Sequence, residues 1–230
     1  MLRDQLEEVR ERIARAAQRV GRPASSVQLV AVTKQVPVEM MRQAVALGVT
    51  DLGENRVQEA RRKQSELASE ATRISWHLIG HLQRNKAKLA VELFDVVHSV
   101  DSRELAEDLE RRAAACGRTL DVFLQVNVAG ETTKSGCRSD EANTLARAIT
   151  TLPHVRLVGL MTIAPFADDV EATRPVFRQL RVLRDAMAST LTPATVPLKL
   201  SMGMSHDFEV AIEEGADVVR IGTAIFGVRG

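Results

Sequence analysis

Eight short runs rich in Val, Ile and Leu alternate with amphipathic helical stretches, and neither a linker nor a low-complexity segment interrupts them. The runs are Val27–Thr33, Val49–Gly53, Ile74–Ile79, Phe94–Val100, Leu120–Val128, Val155–Met161, Val196–Leu200 and Val218–Ile221. They have strand length, and Gly, Pro or polar residues bound them. The intervening stretches repeat apolar residues at three and four. The first carries Leu2, Leu6, Val9, Ile13, Ala16 and Val20 and stops at Gly21 and Pro23. Others are expected from Glu54 to about Leu67, from a capping box at Asp101-Ser102-Arg103-Glu104, behind a Ser139 cap, over Asp168–Ser189 and over His206–Glu214. Repeated strand–helix units make a parallel sheet. Eight of them in 230 residues predict an α/β fold, a (β/α)8 TIM barrel forming one domain over 1–230 with an extra N-terminal helix. A doubly wound open sheet is the alternative. Only one helical turn fits after the last strand, so the N-terminal helix is expected to help cover the gap there.

Charge excludes some functions. Lys and Arg number 31 against 30 Asp and Glu, a net +1, which gives no basis for binding nucleic acid or an anionic membrane. Two cysteines, Cys116 and Cys137, make neither a metal pair nor a disulfide framework. Leu2–Arg19 is charged throughout, unlike a signal sequence, and no apolar run approaches the ~20 residues of a membrane span. A cytoplasmic protein is expected, and nothing in the sequence demands more than a monomer.

In a barrel the chemistry gathers at the carboxyl ends of the strands. Lys34 ends the first run, with Pro37 three residues on. A lysine emerging beside an apolar wall loses hydration, which favours the free amine that attacks a carbonyl. The alternative is a lysine that ends a strand by pointing at water. After the seventh run comes Ser201-Met202-Gly203-Met204-Ser205, and after the eighth Arg220-Ile221-Gly222-Thr223-Ala224. Small-residue turns with free N–H groups at these two ends suit a phosphate. Taken singly, Ser205 reads as the N-cap of the next helix and Gly222 as a tight turn. Asn55 follows the second run and His77 lies on the third. His77 and His81 have helical metal spacing, but Gly80 and the strand break that geometry, so no metal site is assigned. Met161 suits a core position or a place beside a planar ring. A reactive lysine across the mouth from a phosphate cradle suggests pyridoxal 5′-phosphate (PLP).

The motifs point the same way. Ala31-Val32-Thr33-Lys34, Gly53-Glu54-Asn55-Arg56-Val57-Gln58-Glu59 and Trp76-His77-Leu78-Ile79-Gly80-His81-Leu82-Gln83-Arg84-Asn85-Lys86 are followed by Lys134-Ser135-Gly136-Cys137, Gly159-Leu160-Met161, Leu200–Ser205 and Arg220–Gly227. Together they resemble the pyridoxal phosphate homeostasis protein family over almost the whole chain. Thr33 stands where Ser is common, and Gln35-Val36 vary a tolerant pair. The resemblance implies a barrel like the N-terminal domain of alanine racemase, with Lys34 as the Schiff-base lysine and Asn55 near the cofactor. It places Ser201, Gly203, Met204, Gly222 and Thr223 around the phosphate and Arg220 at the pyridine nitrogen. Arg220 otherwise reads as a partner of Glu54 or Asp217. Lys86 and Lys134 read as surface lysines rather than a second cofactor site.

No catalytic residue is assigned. A racemase needs a base on each face of its substrate, and the sequence has no tyrosine to stand opposite the lysine. The expected function is PLP binding for vitamin B6 homeostasis, with delivery to PLP-dependent apo-enzymes. A PLP enzyme acting on an unidentified amino acid and a cofactor-free aldolase using Lys34 are the alternatives.

Overall fold

In a computed structural model, which describes residues 1–130, 135–188, 190–191 and 197–227, the strands close on themselves. They are β1 (Gln28–Val32), β2 (Asp51–Glu54), β3 (Ser75–Leu78), β4 (Val96–Val100), β5 (Leu120–Asn127), β6 (Cys137–Arg138), β7 (Val155–Met161), β8 (Lys199–Ser201) and β9 (Val218–Ile221). All pairings are parallel. The order runs β4-β3-β2-β1-β9-β8-β7-β5, and a further β4–β5 pairing joins its ends. That last pairing makes an eight-stranded barrel and excludes the open sheet. β6 is a two-residue strand paired to the far end of β5, outside the eight strands of the ring.

The helices are α1 (Leu2–Arg19), α2 (Val38–Ala46), α3 (Val57–Glu66), α4 (Ala87–Leu93), α5 (Arg103–Cys116), α6 (Ala142–Thr150), α7 (Arg174–Ala188), α8 (Phe208–Glu213) and α9 (Thr223–Phe226). Most of the core lies between them and the barrel's outer surface. A smaller apolar cluster of Val30, Phe123, Val158, Met161 and Val218 comes from β1, β5, β7 and β9 and fills the interior.

Helix α1 packs on α8 and α9, where the last barrel helix is only one turn long. It buries Leu2, Leu6, Val9 and Ile13, each worth roughly 1.5–3 kcal/mol. Arg19 pairs with Glu213 at 2.6 Å, and the Arg12 guanidinium lies 4.6 Å from the centre of the Phe208 ring. Val20 leaves the apolar face because the helix stops at Arg19, and it is exposed.

Several boundaries differ from expectation. β2 runs through Glu54, so α3 starts only at Val57. Asp169 accepts the Glu171 N–H and forms a 3-10 turn at Val170–Thr173, which delays α7 to Arg174. Ser139 caps nothing, and α6 begins at Ala142. Ser102 does cap α5, which stops at Gly117 in the left-handed conformation. Ser189 and Val196, expected element ends, lie outside the described residues.

Candidate functional site

Because the barrel strands are parallel, their carboxyl ends share one mouth. Lys34 enters it two residues beyond β1 and is half-buried. Its turn is closed by the Val36 N–H donating to the Thr33 carbonyl at 2.9 Å. Gln35 takes φ +59°, a conformation a side chain other than glycine's adopts only under constraint. The Lys34 ammonium has no hydrogen bond or ion pair to another described residue.

The constraint comes from a cluster that pattern reading misses. Lys63 of α3 is fully buried, and its Nζ donates to the Thr33 carbonyl (2.6 Å), Glu54 Oε1 (2.8 Å) and Glu59 Oε1 (2.7 Å). Thr33 Oγ1 also donates to Glu54 Oε1 at 2.7 Å, and the Gln35 N–H donates to Glu59 Oε1 at 2.6 Å. The residues on either side of Lys34 are thus tied to one buried cation and its two carboxylates. Burial pushes the Glu54 carboxyl above its usual range despite Lys63 and Thr33. The only sequence trace of the cluster is Glu59 four residues before Lys63, the spacing of an ordinary surface pair.

Across the mouth, the loops after β8 and β9 are laced together. Gly203 has φ +91°, and a Cβ there would lie 2.6 Å from the Ala211 Cβ and 2.9 Å from the Phe208 Cα. Only glycine lets the chain pass so close to α8. The Arg220 N–H donates to the Gly203 carbonyl at 3.0 Å. Asp207 accepts the Met204 N–H at 2.7 Å. Ser205 does not cap the helix that follows it. Its hydroxyl accepts the Gly222 and Ala224 N–H groups of the neighbouring loop at 3.2 and 3.3 Å. Met204, Gly222 and Thr223 line the same two turns, and Met204 is exposed.

Other candidates lie deeper. Arg220 is buried in β9 and donates to Ser201 Oγ (2.7 Å) and the Thr162 carbonyl (2.9 Å). Burial pushes it down to about 10. Neither suggested partner reaches it: Asp217 pairs with Arg22 and Arg184, and Glu54 with Lys63. Ser201 likewise points its hydroxyl into the barrel. His77 is buried, between Asp51 and His98, and Met161 belongs to the interior apolar cluster. His98, which sequence reading passes over inside an apolar strand, bonds both His77 and Ser201. His81 is exposed and faces Asp101. Among the described residues no group of three His, Cys, Asp or Glu side chains is placed to hold a metal.

Asn55 lines a cavity of about 330 Å³ at the mouth with Ile79, Gly80, His81, Gln125 and Asn127. A Cβ on Gly80 would lie 2.4 Å from the Asn55 carbonyl, so this glycine lets the end of β3 close on Asn55. Cys137 is buried and its thiol is pushed up to about 12 by burial and Asp101, which makes it inert. Lys134 lies outside the described residues. No helix among the described residues is long and apolar enough to cross a membrane.

Residues 5–230 match the family described as alanine racemase, N-terminal domain. A protein of Aquifex aeolicus named pyridoxal phosphate homeostasis protein is 43% identical over 226 residues, which cover 98% of this chain and 97% of that one. The structure of PipY from Synechococcus elongatus with PLP bound superposes with a TM-score of 0.84 at 38% identity, covering 99% of this chain and 100% of that one. An alanine racemase of Clostridium difficile, at 15% identity and a TM-score of 0.69, shares the fold alone, over 95% of this chain and 56% of its own. A family match over nearly the full length, with a relative this similar from end to end, means that the chain belongs to the pyridoxal phosphate homeostasis protein family, built on the alanine racemase N-terminal-domain barrel.

Proposed function

We propose that the barrel, one binding unit over residues 1–230, holds PLP at its mouth and serves PLP homeostasis. The observation that carries this reading is the Lys34 amine, free of any described partner yet fixed at its backbone, in the mouth that the Gly203 and Gly222 turns also enter. PLP supplies an aldehyde for an amine to capture and a ring that withdraws electrons. Lys34 takes the aldehyde. Gly203, Met204, Gly222 and Thr223 offer backbone to the phosphate, with Ser201 at the base of the same loop. Asn55 borders the ring. His77 and Met161 would contribute from the barrel interior. Arg220 carries donors and no acceptor, so facing the ring nitrogen it would leave that nitrogen unprotonated and the ring a weak electron sink.

That weakness and the absence of tyrosine favour a carrier over a racemase-like enzyme. The names of the relatives agree with that choice. A carrier in the cytoplasm would buffer the reactive aldehyde and pass it to apo-enzymes, and it could do so as a monomer.

The test is the visible spectrum of the purified protein with added PLP, beside Lys34→Ala, before and after borohydride. A yellow band that borohydride traps, absent from the variant, is the expected result. A wild-type protein that stays colourless would overturn PLP binding and leave the aldolase reading. Steady amino-acid turnover by the yellow protein would replace the carrier with an enzyme.

A further inference from the structure

We infer that a one-way hydrogen-bond relay crosses the barrel interior from Arg220 through Ser201, His98 and His77 to Asp51, and that His98 is a positioning residue for the Arg220 guanidinium. The links are short and continuous. Arg220 Nη1 lies 2.7 Å from Ser201 Oγ, which lies 2.9 Å from His98 Nδ1. His98 Nε2 lies 2.9 Å from His77 Nδ1, and His77 Nε2 lies 3.0 Å from Asp51 Oδ1. Strands β4 and β8 are not neighbours in the closed sheet, so the bond between His98 and Ser201 spans the interior itself.

Donor counting sets the direction. A guanidinium has no acceptor, so Ser201 Oγ must accept from Arg220. The serine hydrogen then has one acceptor among the described residues, His98 Nδ1. His98 therefore carries its hydrogen on Nε2 and donates to His77 Nδ1. His77 in turn carries its hydrogen on Nε2 and donates to the Asp51 carboxylate, with Ser75 Oγ also near at 3.3 Å. Every ring nitrogen is thereby assigned with both histidines neutral, and the chain runs from a cation to an anion.

The surroundings agree. Burial and the Arg220 charge hold His98 well below its ordinary value. Asp51 is burdened by burial, yet bonds from His77, Thr50 and Gln28 keep its carboxyl below the usual range. Phe123 stacks on the His98 ring at 4.4 Å and 20° and confines it to one plane. No carboxylate pairs with Arg220 among the described residues, so Ser201 and the Thr162 carbonyl fix its orientation, and His98 fixes Ser201.

The relay stands without a ligand, whereas its effect on the cofactor rests on the function proposed above. The first test is therefore made on wild-type protein without added PLP, with 15N-labelled histidine. His77 and His98 should both appear neutral with the hydrogen on Nε2, joined by a scalar coupling across the N–H···N bond. A doubly protonated ring, or a hydrogen on Nδ1 alone, overturns the relay whether or not the protein binds PLP.

The second test compares His98→Phe, which keeps the ring volume and the stack, with His98→Gln, which restores a donor and an acceptor. PLP affinity should fall about tenfold in His98→Phe, with a displaced visible band, and return to within about threefold in His98→Gln. Wild-type affinity and band position in His98→Phe, or equal loss in both variants, would reduce His98 to a packing residue. If His98→Phe does not fold, an undisplaced band with wild-type affinity in His98→Gln supports the positioning role, and a loss beyond about tenfold overturns it. A wild type that binds no PLP defeats the proposed function, and the histidine spectrum still decides the relay.

Discussion

Replacing Lys63 with methionine tests the buried cluster that holds the lysine turn. Methionine keeps the apolar stem and removes only the ammonium. The wild-type Nζ serves three acceptors within 2.8 Å, and both Lys63 and Glu54 are sealed from solvent. Glu54 Oε2 already has no partner among the described residues. Without Lys63, Glu54 keeps only the Thr33 hydroxyl and the Thr33 carbonyl keeps only the Val36 N–H. Removing one member of a buried pair costs roughly 3–5 kcal/mol. At ~2 °C per kcal/mol for a chain of this length, melting should fall by about 6–10 °C. The cost should also depend on pH. Burial already raises Glu54 above its reference value of 4.5, and loss of Lys63 raises it further. The folded variant then holds a proton that the unfolded chain has released, so its stability falls as pH rises from the ordinary value through the raised one. Urea unfolding at pH 5 and pH 7 reads both effects, and the gap from wild type should be wider at pH 7. Adding Glu54→Gln removes the buried charge and should recover at least ~1 kcal/mol at pH 7. A loss under ~1 kcal/mol at pH 7, or a gap that does not change with pH, would refute the reading of a buried, cation-dependent clamp.

Two further outcomes follow from the geometry. Gly203→Ala places a methyl 2.6 Å from the Ala211 Cβ at φ +91°, so it should cost about 2 kcal/mol or more and weaken PLP binding together with stability; unchanged urea midpoint and affinity would show that the loop relaxes freely. Glu214 accepts from Arg174, Arg178 and Arg181 at 3.3, 2.9 and 2.9 Å, and against the effect of burial these bonds hold its carboxyl below the usual range. Glu214→Gln should cost about 1–3 kcal/mol at pH 7. A depressed folded value gives stability above the unfolded value and loses it as pH falls through the folded one, so wild type and variant should converge in acid; a gap that does not narrow as pH falls would show that packing, not charge, holds α7 to α8.

What pattern reading finds and what it misses divide along a physical line. β1 is visible without any periodicity: Leu29, Val30, Ala31 and Val32 form an apolar run whatever surrounds them, and Gly117 must end α5 because its conformation disfavours side chains. Lys34 and Gly203 stand out because their chemistry is local. His98 does not, since Val96-Val97-His98-Ser99-Val100 reads as one apolar strand with two polar interruptions. Its partner Ser201 is 103 residues away, and no spacing rule connects the two before the barrel closes. Lys63 hides for the opposite reason. Its pairing with Glu59 is local and commonplace, and only the path of β2 through Glu54 brings a second carboxylate and makes the site a buried one. The start of α7 escapes the pattern because a side-chain bond to Asp169 competes with the helix, a choice that helical periodicity cannot register.

The two polar networks also explain how one barrel holds Lys34 at its mouth and the buried Arg220 beneath it. Successive residues of a strand face opposite ways. Glu54 therefore leaves the barrel to meet Lys63, while His77, His98, Ser201 and Arg220 turn inward. The outer network grips the backbone on both sides of Lys34 and leaves its amine free. The inner network grips the guanidinium of Arg220 and leaves its backbone to the Gly203 loop. An interior filled only with aliphatic side chains would pack as well or better, but Arg220 would then face no acceptor in the layer beneath it, and a buried cation with unpaired donors is strongly destabilising. The polar interior is thus the condition for keeping that arginine charged and aimed, and the barrel gives up apolar burial at His77, His98 and Ser201 to meet it.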